Sequence, residues 1–117
     1  MKLTPLSEHI GVEITDVQMA HLAGDDLESL KQAVFENGVA VLRDQDLSPE
    51  QHIAFAKRWG GIDVNPFFPT NSGWPEIAEV RKAETQRDNI GGGWHTDHSF
   101  DQIPAMGSIL EIGRAHV

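Results

Sequence analysis

The amino-acid sequence predicts an α+β fold, on three observations. Two segments in the first half carry helical apolar periodicity behind N-capping residues. Short apolar runs beside them have the character of strands. The second half is rich in loops, glycine and short strand-like segments, so helices and strands are segregated along the chain.

Residues 10–17 alternate loosely, with Ile10, Val12 and Ile14 on one side and Glu13 and Thr15 on the other, the pattern of a half-buried strand. Asp25, read as an N-cap with Glu28 three positions on, opens a helix over residues 26–37. Leu27, Leu30, Val34 and Phe35 form its apolar stripe, and Gly38 is its stop. Val39-Ala40-Val41-Leu42 is a continuous apolar run and reads as a buried strand. The polar turn Arg43-Asp44-Gln45-Asp46 follows it. Ser48-Pro49-Glu50-Gln51 then starts a second helix, with serine as N-cap, proline first and glutamine third. His52, Phe55, Ala56 and Trp59 make the stripe of that helix, and Gly60-Gly61 ends it. Residues 65–75, dense in proline and aromatics, read as loop. A strand over 76–81, a polar stretch ending in three glycines at 91–93, a turn over 100–104 and a last strand over 105–110 complete the reading.

Composition narrows the function classes. Hydrophobic residues at 39% and charged residues at 23% describe a globular chain rather than a disordered one. Eighteen acids against nine bases leave a net charge of −9, and the bases are scattered, which argues against nucleic acid as a partner. Without cysteine there are no disulfides and no thiolate metal sites, so a metal would need His, Asp or Glu. No signal-peptide run and no apolar stretch of membrane-spanning length is present, and the chain is expected to be soluble and cytoplasmic, with no membrane partner.

One segment asks for a chemical explanation: Gly91-Gly92-Gly93-Trp94-His95-Thr96-Asp97-His98-Ser99-Phe100. On an extended backbone residues two apart share a face, so His95 and Asp97 would present an imidazole nitrogen and a carboxylate side by side. Iron(II) accepts both, and two histidines with one carboxylate on one face leave three positions open for a cosubstrate and dioxygen. The glycines let the backbone turn into such a site. His98, at odd spacing, should point away as a surface or supporting residue. His9, His21 and His52 have no carboxylate at ligand spacing, and the glycine run lacks the Lys-Ser/Thr of a phosphate loop.

Several blocks together resemble the taurine dioxygenase (TauD/TfdA-like) family. They are Val41-Leu42-Arg43-Asp44-Gln45, Leu47-Ser48-Pro49-Glu50-Gln51, Phe55-Ala56-Lys57-Arg58-Trp59-Gly60, Trp94 to Phe100, and Pro104-Ala105-Met106-Gly107-Ser108-Ile109-Leu110. The resemblance runs from about Leu3 to Leu110. It implies the N-terminal part of a double-stranded β-helix (jelly-roll) dioxygenase with flanking helices. It also implies iron(II) as cofactor, 2-oxoglutarate as cosubstrate and His95 and Asp97 as the first two iron ligands. The implied reaction uses dioxygen to hydroxylate a small organic acid while 2-oxoglutarate is decarboxylated to succinate and carbon dioxide. Where the family's taurine enzymes carry a His and a Tyr, this chain has Asn65 and Phe68. These are the candidate substrate residues, and the change disfavours taurine relative to another sulfonate, a sulfate ester or an aryloxy acid. The alternative is a jelly-roll ligand-binding module without catalysis. The full-length chain is open to homo-oligomerisation.

The family's distal histidine ligand and its 2-oxoglutarate-binding arginine have no counterpart in the chain, and the final Glu111-Ile112-Gly113-Arg114-Ala115-His116-Val117 departs from the family pattern. Those seven residues equal the translation of a common sequencing adapter, AGATCGGAAGAGCACACGTCTGA, behind one G, ending on its TGA stop. Residues 1–110 are therefore expected to be the native portion of the dioxygenase domain and residues 111–117 a non-native tail, so His116 is not counted as a ligand. With strand edges unpaired, the polypeptide alone is expected to be inactive and prone to aggregate. The gene sequence checks the tail: codons 112–117 should read ATC GGA AGA GCA CAC GTC, and any other codon there removes the explanation.

Overall fold

The computed structural model describes residues 1–64, 70–71, 73–88 and 91–113. The chain divides into two units, residues 1–55 and 56–117.

The first unit is a three-stranded mixed sheet covered by a helix. Strand β1 (Lys2–Pro5) pairs antiparallel with β2 (Val12–Thr15), and β2 pairs parallel with β3 (Ala40–Leu42), giving the order β1-β2-β3. A parallel pair needs a long crossover. Here a short 3₁₀ turn (Met19–His21) and helix α1 (Gly24–Asn37) supply it, and α1 packs on β2 and β3. The alternation anticipated around Ile14 is present but shorter. Val12 and Ile14 are buried, Ile14 completely, whereas Ile10 is exposed because the strand begins only after Gly11. The first strand, β1, was not anticipated; its four residues are exposed, so no apolar alternation announces it.

Helix α1 starts two residues earlier than the capping pattern suggested. Ala23, not Asp25, is the N-cap, without a side-chain cap, and Leu27 N–H donates to the Ala23 carbonyl at 2.9 Å. Asp25 and Asp26 lie in the first turn, where their charge favours the helix dipole. Its buried face is Leu27, Leu30 and Ala33, while Phe35 of the expected stripe is 60% exposed. Gly38 ends the helix with φ +77°, its N–H donating to Val34 O at 2.8 Å, a backbone setting suited to glycine. Strand β3 is half-buried rather than buried, since it lies at the edge of this sheet.

Beyond both β2 and β3 lies an aspartate with positive φ, Asp16 directly after the first and Asp44 two residues after the second, and these loops are clipped together by Gln45. Its Oε1 accepts from Met19 N–H at 2.8 Å, and its Nε2 donates to the Val17 and Arg43 carbonyls at 2.9 and 2.8 Å. Gln18 Nε2 adds a bond to the Asp44 carbonyl at 3.2 Å. Across the strands, Arg43 Nε meets Glu13 Oε2 at 3.3 Å.

Helix α2 (Pro49–Lys57) opens with the anticipated reciprocal box: Gln51 N–H donates to Ser48 Oγ at 3.2 Å, and Ser48 N–H donates to Gln51 Oε1 at 3.0 Å. Phe55 is its buried residue.

In the second unit, β4 (Thr70–Asn71) and β5 (Trp74–Ala78) form an antiparallel pair with a register shift between Thr70 and Asn71. The expected strand over 76–81 is therefore present in part: it begins two residues earlier, at Trp74 in what reads as loop, and ends at Ala78. The turn expected over 100–104 comes earlier, over 98–101, where Asp101 N–H donates to His98 O at 3.0 Å, and the chain continues in bends through 103. The strand anticipated over 105–110 is absent. The segment runs without helix or strand, and Met106 and Leu110 stand exposed instead of lying on the face of a sheet. Among the described residues no helix is long and apolar enough to cross a membrane.

Two substitutions test these local devices by urea unfolding followed by far-UV circular dichroism. Ser48→Ala should cost about 1 kcal/mol through the lost cap. Gln45→Ala, which strands the Met19 N–H and two carbonyls, should cost about 1–3 kcal/mol.

Candidate metal centre

The segment around His95 lies outside helices and strands, so local bonds set its geometry. Gly91 turns the chain at φ +69°. His95 Nδ1 lies 2.8 Å from the Gly93 carbonyl oxygen, which can only accept, so Nδ1 carries the hydrogen. Thr96 Oγ1 and Ser99 Oγ share a hydrogen bond at 3.0 Å. Beyond them His98 adopts φ +35°, its Nδ1 lies 3.7 Å from Asp101 Oδ2, and its ring stacks on Phe100 at 5.4 Å between centroids.

Within this frame His95 Nε2 lies 3.3 Å from Asp97 Oδ1. The two side chains expected to stand side by side do meet, although the backbone is not a strand. In a neutral imidazole whose Nδ1–H is donated, Nε2 holds a lone pair, and here it faces a carboxylate oxygen. Two electron-rich atoms at that separation repel unless a proton or a metal cation lies between them. First-row metal bonds to N and O of about 2.1 Å, at right angles, set adjacent donors about 3.0 Å apart, so the pair suits two neighbouring positions on one ion. Both side chains are accessible, at 56% for His95 and 78% for Asp97.

Other sequence candidates do not join them. His98 is engaged with Asp101 and Phe100, consistent with a supporting residue turned elsewhere. His9 lies 3.7 Å from Glu8 on the open surface, where such a contact contributes little. Asn65, Phe68 and His116 lie outside the described residues. Among the described residues no group of three or more His, Asp or Glu is arranged to hold a metal. The Gly93 carbonyl is the participant that sequence reading missed. The glycine run spoke of backbone freedom, and nothing in it marks which carbonyl will accept a bond.

Comparison with known proteins follows the same line. Residues 2–112 match the taurine catabolism dioxygenase TauD, TfdA family. A relative, the (S)-phenoxypropionate/alpha-ketoglutarate-dioxygenase of Sphingobium herbicidovorans, is 29% identical over 92% of this chain and 39% of its own length. The alpha-ketoglutarate-dependent 2,4-dichlorophenoxyacetate dioxygenase of Cupriavidus pinatubonensis is 32% identical over 86% of this chain and 40% of its own. A crystal structure of a taurine dioxygenase from Burkholderia xenovorans superimposes with a TM-score of 0.63 at 30% identity, covering 73% of this chain and 31% of that one. The chain thus spans about 40% of the length of these two curated relatives. With a family match over nearly all its residues and a solved member sharing its α+β arrangement, this chain belongs to the taurine catabolism dioxygenase TauD/TfdA family.

Proposed function

We propose that this chain contributes His95 and Asp97 as two of three protein ligands of an iron(II) centre in a 2-oxoglutarate-dependent dioxygenase. The observation that carries this reading is the 3.3 Å approach of His95 Nε2 to Asp97 Oδ1, in a chain of this family. Bound iron(II) with 2-oxoglutarate and dioxygen would supply the oxidising power that hydroxylates a C–H bond, with succinate and carbon dioxide as coproducts. The residues here hold and orient. The Gly93 carbonyl fixes the His95 ring through Nδ1–H, the Thr96–Ser99 bond closes the turn that carries Asp97, and the imidazole and carboxylate would together hold the metal.

The third ligand and the group that binds 2-oxoglutarate come from outside the described residues, in keeping with the share of its relatives that the chain spans. In this reading residues 1–110 are the N-terminal portion of a jelly-roll domain and residues 111–117 a non-native tail. The substrate is a small organic acid. Two relatives named for phenoxypropionate and 2,4-dichlorophenoxyacetate favour the aryloxy class, and Asn65 and Phe68, in place of a hydrogen-bonding His and Tyr, suit a less polar acid.

In the complete protein, His95→Ala and Asp97→Ala should each weaken iron(II) binding by at least about 100-fold, since even supporting residues of metal sites cost 10–100-fold. Succinate formation should fall with it. Unchanged iron affinity in either variant defeats the ligand assignment. A panel of aryloxy acids, sulfonates and sulfate esters, read by succinate release, should give its highest kcat/KM with an aryloxy acid. Asn65→His combined with Phe68→Tyr should move the preference toward taurine, and a panel led by taurine in the unsubstituted protein overturns the substrate reading.

A further inference from the structure

We propose that the glycine turn ahead of the pair is a brace that sets the tautomer of His95: Gly91 and the Gly93 carbonyl hold the ring as Nδ1–H, with Nε2 presented bare. The proposal rests on the reading of His95 as a metal ligand and concerns what prepares it.

Two residues of the same glycine run bear on one ring. The Gly93 carbonyl accepts from Nδ1 at 2.8 Å, and a carbonyl cannot serve a ring nitrogen that lacks hydrogen. A neutral imidazole has a single N–H, so this bond leaves Nε2 as the lone-pair atom, the atom that faces Asp97 Oδ1 at 3.3 Å. On the other side lies Gly91. A Cβ built there would stand 3.4 Å from His95 Cε1 and 3.9 Å from Nε2, on the edge of the ring that a metal must approach. The φ of +69° at Gly91 is also one that side-chain-bearing residues adopt at a cost. The turn therefore favours glycine at 91 for its conformation, while a Cβ there would reach only ordinary van der Waals contact with the ring.

Gly93 is different. A Cβ there would meet nothing within 4 Å, and its φ lies outside the range that disfavours side chains. Only its carbonyl is used, and alanine keeps that carbonyl. The two glycines, two residues apart, are thus separable by substitution. Gly91 is a positioning residue, whereas at 93 the side chain is immaterial.

The test uses the intact protein that carries this chain. Nitrogen-15 NMR of its histidines in the metal-free state, at about pH 8 where an ordinary imidazole is neutral, should show His95 predominantly in the Nδ1–H form. A predominant Nε2–H form overturns the proposal, whatever the variants do. Manganese(II) binding, read by electron paramagnetic resonance of the free ion, should weaken about tenfold in Gly91→Ala, the equivalent of a Cβ in the left-handed region. It should change less than about twofold in Gly93→Ala, as for substitutions that touch nothing. Equal effects of the two substitutions overturn the proposal. His95→Ala separates the levels. If it leaves manganese affinity unaltered, the ligand reading fails and the brace with it; if it abolishes binding while the NMR shows the other tautomer, only the brace fails.

Discussion

The parallel pairing of β3 with β2 is the constraint on which the first unit depends. Strands 12–15 and 40–42 cannot run side by side in the same direction unless the chain between them crosses over the sheet, and α1 is that crossing. The helix in turn must cover the central strand, and it does so with Leu27, Leu30 and Ala33 while Ile14 and Val12 are buried in the sheet. Backbone bonds fasten the near end of the pair: Gly11 N–H donates to Asn37 O at 2.9 Å and Val12 N–H to Val39 O at 3.0 Å. At the far end, where each strand is followed by a positive-φ aspartate within two residues, Gln45 uses both ends of its amide to bind three backbone groups. One polar side chain thereby closes what apolar packing leaves open.

The candidate metal pair follows different physics. No helix or strand holds His95 and Asp97, and neither is deeply buried. Their approach is a matter of short-range bonding: a carbonyl two residues before the histidine, a hydroxyl pair around the aspartate and a backbone bond at the next turn. The electrostatics of that arrangement favours a cation. With Nδ1 engaged, lone pairs confront each other, and positive charge between them turns repulsion into attraction. The local chain prepares donors, and the rest of a metal site, a third donor and a shell that excludes water, is a matter for elements beyond the described residues.

Legibility in the sequence varied with the range of the interaction. The capping box at Ser48 and Gln51 was readable because both partners lie within one turn and their bonding is dictated by residue type. The stop at Gly38 was readable for the same reason. Residue type points to Asp25 as the cap of α1, but an aspartate is equally at home inside a first turn, where the dipole stabilises it, and the cap is Ala23. Phe35 looked like core by spacing, yet Ala33 takes the inward place: periodicity gives a stripe, and the neighbour against which it packs decides which edge is covered. Residues 105–110 have strand-like composition, yet Met106 and Leu110 lie exposed rather than on the buried face that a strand supposes.

The pattern of His95 and Asp97, the order of the blocks around them and the two helices are properties of the sequence itself, because each rests on residue type at short spacing. The tertiary structure decided the rest. It made β3 an edge strand, recruited Lys2–Pro5 into a sheet that no local pattern announces, and used Gln45 to join loops 26 to 28 residues apart. It also chose the Gly93 carbonyl as the partner of His95, which selects the nitrogen left bare for a metal. Backbone carbonyls are identical in every residue, so only the folded path of the chain can say which one a side chain will meet.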